Sequence, residues 1–318
     1  SLGRLEDMIV QLAGIHHSAQ LEQRKKVVLI FCADNGIVEE GVTQTGQEVT
    51  ATVAENFTKG IATVNSLAQV CQADVMPIDI GIAGDMTCKG IANRKIAYGT
   101  KNFAKEPAMT RTEAEQAILT GIQLVREKQE QGYNLIITGE MGIGNTTTSS
   151  AVFSVLSQIT PELVTGKGAG LSKAGIQRKI QVIQAAIQKY QPNPEDVIDV
   201  LSKVGGLDIC GMMGAFLGGA IYRVPVLIDG FISAVAANCA VHYAPACKPF
   251  LYASHCSAEP AGKLALEALQ LHAYLECGMC LGEGTGAVIG AKLFDFALAA
   301  YTEAASFQQA QVTPYQPL

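Results

Sequence analysis

The sequence predicts an α/β protein, a three-layer, Rossmann-like parallel sheet with helices on both faces. Three observations predict it. Short apolar runs of strand length alternate with helix-length segments along the chain. Several of those runs close on an acid followed by a glycine, as a parallel strand does where it hands over to a loop. Residues 27–32 (VVLIFC) are apolar throughout, as suits a strand covered on both sides. The 318 residues, 48% apolar and 16% charged, can bury the core of one large domain or of one and a half. We expect a large α/β substrate-binding domain over 26–262 and a smaller helical domain assembled from 1–25 and 263–318.

Each element follows from local pattern. Leu5, Met8, Ile9 and Leu12 recur at helical spacing ahead of the first strand, 27–32, which ends in Ala33-Asp34-Asn35-Gly36, a turn carrying an acid. Residues 47–68 read as one helix-length segment through Val49, Val53, Phe57, Ile61 and Val64. A second strand at 74–80 (DVMPIDI) closes on Asp79, and Pro77 removes a ladder donor, which moves this strand toward an edge or a bulge. Residues 84–107 lack periodicity and read as an excursion. Thr110 and Glu113 form a capping box for a helix whose buried face carries Ala117, Ile118, Ile122 and Val125.

Residues 134–148 (NLIITGEMGIGNTTT) read as a strand ending on Glu140, a glycine loop, and a helix reaching about Gln158. A loop at 166–171 (GKGAGL) precedes a helix through Lys179 and Ile183. Pro194 and two acids open a helix that stops at Gly205-Gly206. Gly211, Gly214, Gly218 and Gly219 lie in an apolar helix and predict close packing on a neighbour rather than a ligand loop. Strands at 224–228, closing on Asp229-Gly230, and at 250–253, closing on Ser254-His255, flank a helix over 233–242. Residues 262–307 read as mostly helical, interrupted at 281–286 (LGEGTG).

Several function classes drop out. Net charge is −6 with scattered basic residues, which argues against a nucleic-acid partner. Nine cysteines, an odd number, several of them in apolar runs (Cys32, Cys210, Cys239), predict a reducing compartment. With no membrane-length apolar run and no signal peptide visible, we expect the cytoplasm and no membrane partner. Cys277 and Cys280 form a lone CxxC that we assign to helix packing rather than zinc. His16 and His17 read as surface residues, and His255 lacks the serine or cysteine context of a hydrolase triad. No DxD cluster predicts a metal, and no GxGxxG after the first strand predicts a dinucleotide cofactor.

Two carboxylates stand out. Glu140 in GEMGIG and Glu283 in LGEGTGA are flanked by glycines, which let a substrate approach and suit a base beside an apolar ligand. Met141, Met279 and Leu281 are placed to raise a carboxylate's pKa by desolvation. For Glu283 a solvated loop acid remains the alternative. Gly142 and Gly144 with Asn145 and Thr146 read as an anion cradle at a helix start, or as an ordinary strand-to-helix turn. Ligands of such sheets bind at the carboxyl ends of strands, which puts Asp34, Asp79, Glu140, Asp229 and Ser254 on one rim.

Seven segments in order, ADNGIVEEGV, QEVTATVAENFTKG, TGEMGIGNTTT, GGLDICGMMGA, LIDGFISA, SAEPAG and LGEGTGA, resemble the nicotinate-nucleotide:dimethylbenzimidazole phosphoribosyltransferase family over nearly the whole chain. The resemblance implies transfer of 5-phosphoribose from nicotinate mononucleotide to an aromatic lower-ligand base of cobamides, with release of nicotinate, an α-linked product, and no cofactor or metal. It implies Glu283 as general base and Glu140 as a second carboxylate that stabilises positive charge on the ribosyl carbon. It implies nucleotide contacts from Gly142, Gly144, Asn145, Thr146, the 166–170 loop with Gly168, Lys179, Asp229, Gly230 and Ser257, with Lys179 the cation for phosphate or carboxylate. Thr45 and Val53 fall at acceptor-binding positions where the family has serine and glutamine, and Met141 and Leu281 join them on the acceptor side. Asn35 replaces a common histidine. Loss of the glutamine amide at Val53 motivates phenol or p-cresol as acceptor beside 5,6-dimethylbenzimidazole. The resemblance further implies a homodimer, or a heterodimer with a paralogous chain, sharing an active-site wall, and a helix ahead of Ser1. A noncatalytic nucleotide-binding subunit of such a pair is the alternative.

Overall fold

The computed structural model describes residues 1–168 and 170–314; Ala169, in the 166–170 loop, and residues 315–318 lie outside it. Among the described residues six parallel strands form one sheet: β1 (Lys26–Ala33), β2 (Ala73–Gly81), β3 (Ala92–Asn93), β4 (Leu135–Met141), β5 (Val226–Ile228) and β6 (Leu251–Ala253). Their order is β3-β2-β1-β4-β5-β6, so the chain reverses direction across the sheet between β1 and β4. That is the switch point at which such sheets open a crevice.

Strand β1 shows why its apolar run is unbroken. Val27, Leu29 and Phe31 enter one core, while Val28, Ile30 and Cys32 enter the other. Alternate side chains point to opposite faces, so a strand covered twice has no solvent-facing position. Helices α1 (Arg4–His16), α2 (Glu48–Lys59), α3 (Thr63–Cys71) and α12 (Thr285–Glu303) bury residues in the second core. Helices α4 (Arg111–Glu130), α5 (Asn145–Ser157), α6 (Pro161–Val164), α7 (Lys173–Tyr190), α8 (Val197–Val204), α9 (Leu207–Tyr222), α10 (Phe231–Tyr243) and α11 (Gly262–Ala268) supply the first. The chain's two ends thus lie together, α1 and α12 sharing a core with β1 and β4.

The helical glycines pack as expected. A methyl group on Gly121 of α4 would collide with the carbonyl oxygen of Gly211 in α9, and one on Gly214 with that of Ile118. The two backbones meet without side chains between them, so larger residues there would overpack the core. Pro77 also sits where its missing donor predicts. Strand β3 pairs with β2 only at Ile78 and Asp79, so the outer side of β2 up to Pro77 carries no partner strand among the described residues.

Five readings need correction. The segment 47–68 is two helices, because Gly60, at φ +72°, ends α2 in the left-handed region and the chain restarts at Thr63. The excursion at 84–107 contains β3, too short to leave a period. The helix after Pro194 begins only at Val197, capped by the Asp196 carboxylate. The strand expected over 224–228 is confined to Val226–Ile228. Residues 269–284 are not helical, and Cys277 and Cys280 lie exposed in that connection rather than in a helix interface. Positive φ at Gly278, Gly282, Glu283 and Gly284 breaks the helical path there. Among the described residues no helix is long and apolar enough to cross a membrane.

Candidate active site

The acids expected at the rim do lie at the carboxyl ends of the strands, but they serve different purposes. Asp34 accepts the Ala83 N–H at 2.8 Å, and Asp79 accepts the Ile82 N–H at 3.0 Å and pairs with Lys95 at 3.0 Å. Both are buried and hold the turn after β2. Glu140 and Asp229 instead line a cavity of about 280 Å³ beside the ends of β4, β5 and β6.

Glu140 is the penultimate residue of β4 and is buried. Its Oε2 accepts a hydrogen bond from the Asn145 side-chain amide, whose nitrogen also donates to Asp208 Oδ2 at 3.2 Å. Burial, together with the nearby carboxylates of Asp208, Asp229 and Glu283, pushes Glu140 up to about 8. Asp208, in the first turn of α9, is pushed up to about 6 by burial. Asn145 opens α5 immediately after Gly144, which takes φ +95° to make the turn. A Cβ at Gly142 would stand between the Ala33 carbonyl, Asp208 and Asn35, so this loop needs glycine for close packing as well as for approach to a ligand.

Glu283 reaches the same cavity by another route. It lies in the connection before α12 at φ +62°, between Gly282 at +85° and Gly284 at +89°. Left-handed backbone is costly for glutamate, and such strain persists only where surrounding contacts hold it. Two contacts do so. Asp229 accepts the Gly284 N–H at 3.2 Å and the Ala287 N–H at 2.8 Å, which pins the turn to the end of β5. The Val64 N–H, in the first turn of α3, donates to Glu283 Oε2 at 3.4 Å. Burial raises the Glu283 pKa, and the Val64 contact opposes that. A Cβ on Gly282 would come within 2.5 Å of Glu140 Oε1, so the turn that carries Glu283 packs against the Glu140 carboxylate only because its preceding residue is glycine.

The structure brings most of the sequence-derived residues together. Val53, Glu140, Met141, Gly142, Asn145, Thr146, Gly168, Asp229, Gly230, Ser257, Leu281 and Glu283 all line the cavity. Three do not. Thr45 is exposed on the loop before α2, its carbonyl accepting from Thr43 Oγ1 at 2.7 Å. Gly144 faces Val38 and Asn35 rather than the cavity. Lys179 is fully buried behind the wall, its Nζ donating to Thr146 Oγ1 at 2.8 Å and to the Gly166 carbonyl at 3.4 Å. Desolvation lowers Lys179 to about 8. Asp229 is committed to backbone donors of the α12 turn, so it shapes the site through Glu283.

Residues not assigned to the site from sequence complete the wall. His255, buried, lies 3.9 Å from Asp229 and 3.2 Å from Ser254 Oγ, against the bare backbone of Gly286. Glu259, raised by burial and opposed by Lys179 and Lys167, borders the cavity near Gly166. The strand-end rule marked Ser254-His255 as a rim position, a usable signal for His255. Asp208 had a weaker one, an acid inside the apolar run GGLDICG.

Comparison with known proteins gives the family. The family model described as "Phosphoribosyltransferase" matches residues 1–312. The nicotinate-nucleotide–dimethylbenzimidazole phosphoribosyltransferase of Ruminiclostridium cellulolyticum is 50% identical over 318 residues, covering 100% of this chain and 90% of the relative. The chain belongs to this family. The enzyme of the same name from Acetivibrio thermocellus is 50% identical over 317 residues, covering 100% of this chain and 90% of that one. A crystal structure of CobT from Thermus thermophilus superposes with a TM-score of 0.93 at 37% identity, covering 98% of this chain and 93% of the other. The chain is therefore a pentosyltransferase on an α/β fold, and the noncatalytic-subunit alternative finds no support in these relatives.

Proposed function

We propose that this phosphoribosyltransferase moves 5-phosphoribose from nicotinate mononucleotide to 5,6-dimethylbenzimidazole, giving the α-ribotide and nicotinate. The observation that carries the reading is the pair of glycine-flanked carboxylates, Glu140 and Glu283, facing one cavity at the switch side of the sheet. In the donor the ribosyl carbon is bonded to a pyridinium nitrogen, which takes the bonding pair and leaves as the neutral ring nitrogen of the nicotinate anion. That bond breaks as a ring nitrogen of the acceptor attacks the opposite face of the same carbon, and the acceptor's other nitrogen gives up its proton.

Glu283 receives that proton. It is half-buried, its affinity for a proton is raised by burial, and its turn is held from both ends. The N-terminal turn of α5 with Gly168 and Ser257 forms the wall that receives the phosphate. Lys179 acts from behind that wall through Thr146. Val53, Met141 and Leu281 supply an apolar side for the flat acceptor.

Because Val53 contributes no hydrogen-bonding group to that side, phenol and p-cresol form a second reading for the acceptor. Incubation with nicotinate mononucleotide and each acceptor, read by mass spectrometry of the ribotide and by nicotinate release, separates the two. An α-ribotide from dimethylbenzimidazole is expected, no product from any acceptor overturns the reading, and no phenolic product removes the second one. Leu281, 57% exposed at the rim, is where a second chain would close the acceptor side. Light scattering of the protein alone tests that pairing.

A further inference from the structure

Behind Glu140 stands an acid with no place in the scheme above. Asp208 is fully buried, and the Asn145 amide nitrogen donates to both carboxylates, to Glu140 Oε2 and to Asp208 Oδ2. The charged groups facing this pair are further acids. Asp229 and Glu283 face Glu140, Asp34 faces Asp208, and the buried Cys32 thiol faces both. Lys95 and His255 stand beside other acids, Asp79 and Asp229.

Two buried carboxylates that share one nitrogen, with no cation between them, do not both ionise, because repulsion in a desolvated site is strong. The donors decide which one keeps a proton. Asp208 also accepts the Ile209 N–H at 3.0 Å and sits in the first turn of α9, where the helix dipole favours an anion. Glu140 has the Asn145 amide alone among the described side-chain donors, and its second oxygen, Oε1, is directed toward the Gly282 turn at the cavity.

We propose that Asp208, facing Glu140 across the Asn145 amide nitrogen they share, is a positioning residue whose charge holds Glu140 as a neutral carboxyl group with its proton, on Oε1, presented to an oxygen of the bound nucleotide. Glu140 then supplies a hydrogen-bond donor rather than the negative charge that the resemblance implies. Glu283 becomes the one member of the pair free to accept a proton. Two carboxylates thereby take two roles through their surroundings. This division of labour rests on the transferase reading, whereas the arrangement that creates it is testable without substrate.

The test is the titration of the Glu140 carboxylic C=O band by infrared spectroscopy on the full chain, with isotope-labelled glutamate and Glu140→Gln to assign the band. The wild-type band is expected to persist to about pH 8. Asp208→Asn removes a repelling charge and is expected to weaken Glu140 proton affinity on the order of tenfold. Asn145→Ala removes the one bond that favours the anion and is expected to strengthen it. Opposite directions are the signature, because a merely structural role would move both variants alike. Shifts of the same sign, or an assigned Glu140 band that disappears in the ordinary carboxylate range, overturn the proposal. If Asp208→Asn does not fold, the same titration of Asp208→Ser decides, a lowered Glu140 midpoint supporting the proposal and an unmoved one overturning it. Failure of the transferase assay leaves this titration untouched, so the two failures are distinguishable.

Discussion

Glu140 and Glu283 carry the same side chain, each follows a glycine and both line the same cavity, yet they are held in opposite ways. Glu140 sits in a strand at the centre of the sheet, buried, with its position set by strand pairing and one amide. Glu283 sits on a turn of left-handed residues, half-buried, its position set by Asp229 and the start of α3. Desolvation of comparable groups therefore has different consequences. The enclosed acid keeps its proton at neutral pH, and the one reached by a helix N-terminus gives it up more readily.

The sharpest way to break this comparison is to neutralise each acid in turn. Glu283→Gln is expected to lower kcat by about 10²–10⁴-fold, because it removes the proton acceptor while leaving the fold. Steady-state nicotinate release, with the melting temperature as control, measures it. An equal loss in Glu140→Gln would erase the distinction between the two residues.

Gly282→Ala attacks the close approach of the Glu283 turn to Glu140. The added Cβ meets Glu140 Oε1 at 2.5 Å on a backbone at φ +85°, which is expected to cost about 1–2 kcal/mol of stability and roughly tenfold to a hundredfold in kcat. Thermal unfolding and turnover read the two effects separately.

Glu140→Gln is expected to cost less than about tenfold in kcat at pH 7, since an amide resembles a neutral carboxyl in shape and can still donate. Its pH signature is more informative. The Glu140 pKa is raised on folding from the ordinary 4.5 to about 8, so between those values the native state binds more protons than the unfolded one. The stability this group contributes is present below pH 4.5 and lost as pH rises toward 8. Wild-type melting temperature is expected to fall relative to Glu140→Gln across that window, and parallel curves would contradict the assignment. Leu281→Ala marks the small end of the scale. Exposed at the rim, it is expected to leave kcat within about twofold and stability within about 0.5 kcal/mol, with any effect confined to acceptor KM.

Legibility in the sequence followed the range of the interactions involved. Glu140, Asp229 and the Ser254-His255 turn were readable as rim positions because a parallel strand ends where its apolar run ends, a local property. The α4–α9 contact was half readable: the glycines of α9 announced close packing, but nothing in the chain named Gly121 as their counterpart. Cys277 and Cys280 were misplaced because the helical reading extends through 269–280 on paper, while positive φ angles at Gln270 and Gly278 turn the backbone away. Lys179 was named as a contact but lies one side chain behind the wall, a difference of a few ångströms that no spacing rule resolves.

By itself the sequence determined the alternation of strands and helices, the two-sided burial of β1, and the pair of glycine-flanked acids, since hydrophobic period and backbone freedom are written residue by residue. Only the tertiary structure decided that Glu283, from the connection before α12, would stand beside Glu140 of β4, that Asp229 would hold that turn, and that Asn145 would join Glu140 to Asp208. Those relations depend on strand order and on the desolvation of groups distant in the chain, and both exist only once the sheet has assembled.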